Sequence, residues 1–218
     1  MATRQTLVCY GLKPAVFVLC LLPLLQQGWL AYTGNLGANP IGELTNETGV
    51  WSLRLLLVTL AITPLRRLTG WGWLVSVRRM LGLYAFAYGM LHLAVYWGLN
   101  QYFDLSLIAG DLKRPYIVAG YLALLFMGPL AATSTDAMVR RLGRRWQKLH
   151  RLVYAVAILG VLHYLLLVKI DFLPPMAYAA VLAVLLGWRL WVWQIAPRLG
   201  GFLRRNEPVT PTRLAGHR

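Results

Sequence analysis

Long apolar blocks alternate along this chain with short polar or arginine-rich connections. Six blocks stand out, near Pro14 to Tyr32, Trp51 to Leu65, Leu81 to Leu99, Pro115 to Ala132, Leu149 to Val168 and Pro175 to Ile195. Most approach the roughly 20 residues that an apolar helix needs to cross a hydrocarbon core about 30 Å thick. Within lipid, backbone N–H and C=O groups must be satisfied inside the segment, and blocks this long do so as helices. The pattern therefore predicts an all-α integral membrane protein, a bundle of about six transmembrane helices. The second block is short and carries Arg54, which predicts a span that is tilted, locally thinned or extended by Thr48 to Val50. The first follows Arg4 and Lys13 as a secretory signal would, but it ends in two glutamines, Trp29 and Tyr32 rather than a small-x-small cleavage site. It is expected to stay as a helix with an interfacial aromatic belt.

Composition agrees with this class: of 218 residues, 58% are apolar and only 13% charged. The formal net charge of +15 would point to nucleic acid in a soluble protein. Here the basic residues sort by connection. Arg4 and Lys13, then Arg66, Arg67, Arg78 and Arg79, then Arg140, Arg141, Arg144, Arg145 and Lys148, and finally the basic residues after the sixth block all fall on one side. The other side has mainly Lys113, Arg114 and Lys169, beside Glu43, Glu47, Asp104, Asp111 and Asp171. By the positive-inside rule both termini are expected in the cytoplasm, with the charge facing anionic lipid and no nucleic acid as partner. Residues 1–200 read as one transmembrane domain and 201–218, polar with two prolines, as a flexible cytoplasmic tail. Cys9 and Cys20 suggest neither disulfide nor zinc site. No internal repeat, phosphate-binding glycine motif or Ser/His/Asp set is legible.

Against this background three histidines carry the candidate chemistry: His92 in GMLHLAVYW, His150 in QKLHRLVY and His163 in VLHYLLL. Ionisable side chains within a span mark functional sites. Along span three His92 lies about 17 Å from Leu81, and along span five His163 lies about 20 Å beyond His150. His92 and His163 thus share a depth nearer the outer face. Two imidazoles facing each other at one depth are suited to both axial positions of a haem iron, with Ala85, Gly89, Ala157 and Gly160 leaving room for a flat ring. His150 falls at the level of a second haem near the cytoplasmic face. On a continuous helix, however, it would point about 140° away from His163. For each histidine the plain alternative is an interhelical hydrogen bond or, for His150, a surface position. His217 lies in the tail and is expected to be inert.

Four stretches, NLGANPIGELTNETGVWSLRLLLVTLAITPLRR, RRMLGLYAFAYGMLHLAVYW, KRPYIVAGY and TSTDAMVRRLGRRWQKLHRLVYAVAILGVLHYLLLVK, resemble the MsrQ (YedZ) family. These are the haem-binding membrane subunits of the bacterial periplasmic methionine-sulfoxide reductase system, within the wider ferric-reductase-like transmembrane group. The resemblance covers all but the two ends. It implies a multi-pass protein of the bacterial inner membrane that is an electron carrier rather than itself a catalyst. Haem b would pass electrons to a periplasmic molybdenum enzyme, MsrP, which reduces methionine sulfoxide in oxidised proteins and pairs with the subunit as a heterodimer. The resemblance implies the quinone pool as electron source, with a cytoplasmic flavin reductase as another, and flavin mononucleotide as an associated cofactor. It matches the haem ligands to His92, His150 and His163.

The wider group carries two histidines on each ligand helix, whereas Arg78 and Arg79 stand thirteen to fourteen residues before His92. A guanidinium does not ligate iron, so His150 lacks an evident partner, for which Met80 is a thioether candidate. Arg78, Arg79, Arg144 and Arg145 are candidates for bonds to haem propionates, quinone or flavin. Trp146 and Tyr154 are candidates to line such a site. About 23 residues follow Ile195, too few for the nicotinamide and flavin domain of related oxidases, so electrons are expected from a separate donor. Two alternatives stand beside this reading: a haem-b anchor for another periplasmic oxidoreductase, and a histidine-based proton or metal transporter. A transporter would be expected to pair broken helices across an internal repeat.

Overall fold

A computed structural model of the chain describes residues 11–192. Arg4, Cys9, His217, the last residues of the sixth block and the expected tail at 201–218 lie outside the described residues, as does the boundary at residue 200. Among the described residues the regular structure is helical, in nine α-helices: α1 Lys13–Tyr32, α2 Pro40–Thr69, α3 Leu74–Val95, α4 Leu105–Asp111, α5 Pro115–Ala132, α6 Asp136–Leu142, α7 Arg144–Leu149, α8 Leu152–Leu167 and α9 Leu173–Leu190. A π-helical turn, Tyr96–Asn100, extends α3. Six helical segments are long and apolar enough to cross a membrane.

The second span takes the extended form, and reaches well beyond Thr48 to Val50. Helix α2 is 30 residues long because its polar ends are helix signals. Asn39 accepts a hydrogen bond from the Gly42 N–H at 3.0 Å, Pro40 occupies the first turn, and the helix stops at Gly70, whose φ of 71° is left-handed. Arg54 is accommodated within this helix, donating to the Tyr178 hydroxyl at 2.9 Å and lying over the Trp51 ring.

Two antiparallel hairpins form the centre. Helix α2 packs along α3, and α5 along α8, with α3 also touching α5; α1 and α9 lie outside them. Leu60, Ala85, Val156 and Ala157 fill the core. The two hairpins correspond at a constant offset of 71 residues: Thr45 to Tyr116, Gly49 to Gly120, Gly89 to Gly160 and His92 to His163. This repeat is not legible in the sequence, since the apolar residues between these anchors differ freely wherever size and polarity suffice.

The copies differ at the basic end. Helix α3 runs unbroken past Arg79, whereas the matching position, His150, sits at the break between α7 and α8. There Arg151 N–H bonds to the Lys148 carbonyl and Val153 N–H to the His150 carbonyl, tightening the chain. The expected turn of His150 away from His163 holds only for one continuous helix, and the break at His150 removes that condition.

Candidate functional site

His92 stands in the last turn of α3 and His163 in the last turn but one of α8. Their ring centroids are 6.1 Å apart, with planes at 82°. His92 Nδ1 bonds to the Thr45 carbonyl at 2.8 Å and His163 Nδ1 to the Tyr116 carbonyl at 2.6 Å. A carbonyl only accepts, so in each ring Nδ1 carries the proton and Nε2 keeps its lone pair. That is the tautomer a metal ligand requires.

The carbonyls can be reached because the helices are bare there. Each belongs to a helical residue i, and residue i+4, which covers that carbonyl, is glycine: Gly49 after Thr45 and Gly120 after Tyr116. A Cβ at either glycine would stand 2.9 Å from the histidine Nδ1. These four residues were missed in the sequence. Only the shared offset of 71 residues, measured from the histidines, would have pointed to them.

A cavity of about 480 Å³ opens around the two rings. Leu53, Leu56, Leu93, Ile117, Leu124 and Met127 are among its apolar walls, with Gly89 and Gly160 also facing it. Ala85 and Ala157, expected beside them, are instead sealed in the core with no exposure. Polar groups gather at the mouth. Tyr96 donates to Asp111, Gln101 donates to the same carboxylate at 2.5 Å, and Arg114 pairs with Asp111 at 3.2 Å.

The donor set fits a haem. An imidazole nitrogen binds a first-row metal at about 2.0 Å with its ring centroid about 1.1 Å behind, so two axial imidazoles place their centroids about 6.2 Å apart. The observed 6.1 Å agrees. No group of three or more His, Cys, Asp or Glu able to hold a metal ion is present among the described residues. Two imidazoles suit an iron whose other four ligands come from a macrocycle.

His150 is not brought to this pair. It lines a second cavity, of about 590 Å³, at the arginine-rich end. Its ring stacks on Trp146 with centroids 3.9 Å apart, and Nε2 lies 3.1 Å from the Thr133 hydroxyl oxygen. That hydroxyl's proton goes to the Pro129 carbonyl at 2.6 Å, so Nε2 donates to Thr133 and Nδ1 holds the lone pair. Arg78, Arg79, Trp146 and Tyr154 line this cavity; Arg144 and Arg145 do not. Nor does Met80, which packs against the apolar core, so the thioether expected opposite His150 faces elsewhere. Arg79 pairs with Asp136 at 2.5 Å and holds its carboxyl below the usual carboxylate range. The two cavities share Leu56, Met127 and Val156 as a common wall.

Comparison with known proteins agrees with this architecture. The family described as ferric reductase like transmembrane component matches residues 48–161, from within α2 to within α8. The protein-methionine-sulfoxide reductase heme-binding subunit MsrQ of Azospira oryzae is 56% identical over 183 residues, which is 83% of this chain and 78% of that protein. The chain belongs to the MsrQ family. MsrQ of Ralstonia nicotianae is 53% identical, covering 84% of this chain and 87% of its own. MsrQ of Xanthomonas euvesicatoria is 46% identical over 97% of this chain and all of its own. No solved structure matches the chain. Like other members of a ferric-reductase-like transmembrane family, this MsrQ homologue is a multi-pass membrane protein.

Proposed function

We propose that this chain is a haem b electron carrier of the bacterial inner membrane, with His92 and His163 as axial ligands. It passes electrons to a periplasmic molybdenum-dependent partner, MsrP, that reduces methionine sulfoxide. The observation that carries the reading is the matched pair of Nδ1-to-carbonyl bonds with ring centroids 6.1 Å apart. The relatives' name, heme-binding subunit of a methionine-sulfoxide reductase, supports both cofactor and system.

The haem supplies one-electron transfer; the protein holds it and sets its surroundings. The Thr45 and Tyr116 carbonyls fix the imidazole tautomer and raise its basicity. The apolar wall lowers the local dielectric and excludes water, while Arg114 stands at the mouth as a cation for carboxylate groups. We place both termini in the cytoplasm, which puts the His92–His163 cavity toward the periplasmic partner and the His150 cavity toward the donor. The donor is quinol or a cytoplasmic flavin reductase, with flavin mononucleotide as a further cofactor. His150 is the inner cavity's imidazole; to hold an iron through Nε2 it would have to release Thr133 and carry its ring proton on Nδ1 instead.

The test is the absorption spectrum of detergent-purified protein, oxidised and then dithionite-reduced. We expect b-type bands, their loss in His92→Ala and His163→Ala, and retention of the outer haem in His150→Ala. Wild-type haem content in His163→Ala would overturn the ligand assignment. Mixing reduced protein with MsrP should reoxidise it; reoxidation by an unrelated periplasmic enzyme instead would favour an anchor for another oxidoreductase.

A further inference from the structure

The inner cavity carries a charge imbalance that the electron-carrier reading leaves unused. Arg67, Arg78, Arg79 and Arg189 line it, and no aspartate or glutamate does among the described residues. Arg79 has Asp136 as counter-charge. Arg189, on α9, is only 8% exposed, yet its guanidinium meets only neutral groups in the hydrogen bonds described. It donates to the Tyr154 hydroxyl and, at 3.2 Å, to the Leu60 carbonyl, while its Nε has no partner. Arg78 lines the same cavity.

Guanidinium groups lining one low-dielectric cavity are costly unless an anion accompanies them. The Tyr154 hydroxyl and Leu60 carbonyl orient Arg189 but bring no negative charge, so the compensating anion is not among the described residues. The opposite end of the cavity is apolar, reaching Leu56, Met127 and Val156 on the wall of the His92–His163 site. The Trp146 and His150 rings form its flat side.

We propose that the inner cavity receives a flat redox ring bearing a phosphate or carboxylate, and that Arg189 and Arg78 hold this oxyanion. The ring lies toward the shared apolar wall and the oxyanion among the arginines. This rests on the reading that the inner cavity takes a redox group on the donor side. It does not depend on the haem between His92 and His163.

The test uses full-length purified protein and two probe pairs that differ only in the anion: flavin mononucleotide against riboflavin, and haemin against its dimethyl ester. Binding is followed by fluorescence quenching for the flavins and by absorption for the haemins, with the outer site already loaded. We expect the anionic member of at least one pair to bind about tenfold tighter, the scale of one charge-assisted hydrogen bond. Arg189→Gln and Arg78→Gln should each close that gap. A preference within the flavin pair identifies phosphate as the anion, and one within the haemin pair identifies carboxylate. Arg189→Lys, which keeps the charge, should retain most of the preference; it and Arg78→Gln keep the test open if Arg189→Gln does not fold. Equal binding within both pairs would overturn the proposal, as would a preference that survives in the glutamine variants. Loss of copurified phospholipid phosphorus as the only change would also overturn it, assigning the arginines to a lipid headgroup. Failure of the electron-carrier reading would appear separately, as missing b-type bands in the wild type.

Discussion

Each histidine of the central pair reaches a carbonyl that already closes a helical turn. It does so across a glycine whose missing Cβ leaves the path open. Gly49→Ala or Gly120→Ala would place a methyl group 2.9 Å from Nδ1. The ring must then leave its carbonyl, giving up a hydrogen bond worth about 1 kcal/mol and the orientation of Nε2. Loss of such supporting contacts weakens metal binding about tenfold to a hundredfold. Haem content and affinity of these variants, measured by pyridine haemochrome assay and haemin titration, should fall by that order. Gly187→Ala, at a helix position with open space around it, should leave them unchanged. At this scale the imidazoles were legible, because a membrane segment rarely carries one. Their supporting glycines were not, since a glycine in a span has many uses and only a neighbouring helix distinguishes this one.

Helix boundaries followed local chemistry more closely than hydropathy. By hydropathy the block from Trp51 to Leu65 is short and carries Arg54. In the structure, caps at Asn39 and Gly70 extend the helix on both sides, and Tyr178 receives the arginine. Tyr178→Phe should therefore lower stability in detergent by about 0.6 kcal/mol, the average for a hydrogen bond between membrane helices. Thermal unfolding would measure it, and no change would mean that the Trp51 ring alone suffices for Arg54. The connections at the basic end are tied by Arg79 and Asp136, both solvent-accessible. Because the folded state lowers the Asp136 pKa, this tie contributes above the ordinary carboxylate range and is lost as pH falls through the lowered value. Asp136→Asn should accordingly lose a small amount of stability near neutral pH, and its difference from wild type should vanish at strongly acid pH. A difference that persists in acid would show that another contact carries the tie.

Across the whole molecule, the two hairpins are variants of one plan, matched at the outer cavity and unmatched at the inner one. The repeat is not legible in the sequence, and a transporter would be expected to show one. The repeat therefore no longer separates the readings. What does is that the spans bearing His92 and His163 run unbroken past the site, with one break, at His150, unmatched in the other hairpin. Orientation is also a property of the whole molecule. Single cysteines introduced at the exposed positions Leu105 and Arg145, in a background lacking Cys9 and Cys20, should be labelled from opposite sides, Arg145→Cys from the cytoplasm. Labelling of Arg145→Cys from the periplasm would reverse the proposed direction of electron flow. By itself the sequence determined the membrane class, the six spans and the presence of imidazoles in or beside them, because hydropathy, span length and the cost of burying imidazole act within one segment. Only the tertiary structure decided that His92 and His163 meet, that their tautomers match, that His150 stands apart and that Arg189 faces its cavity. Those depend on which helices pack together and how they are rotated, and in a nearly uniformly apolar span no periodic polar face records that rotation.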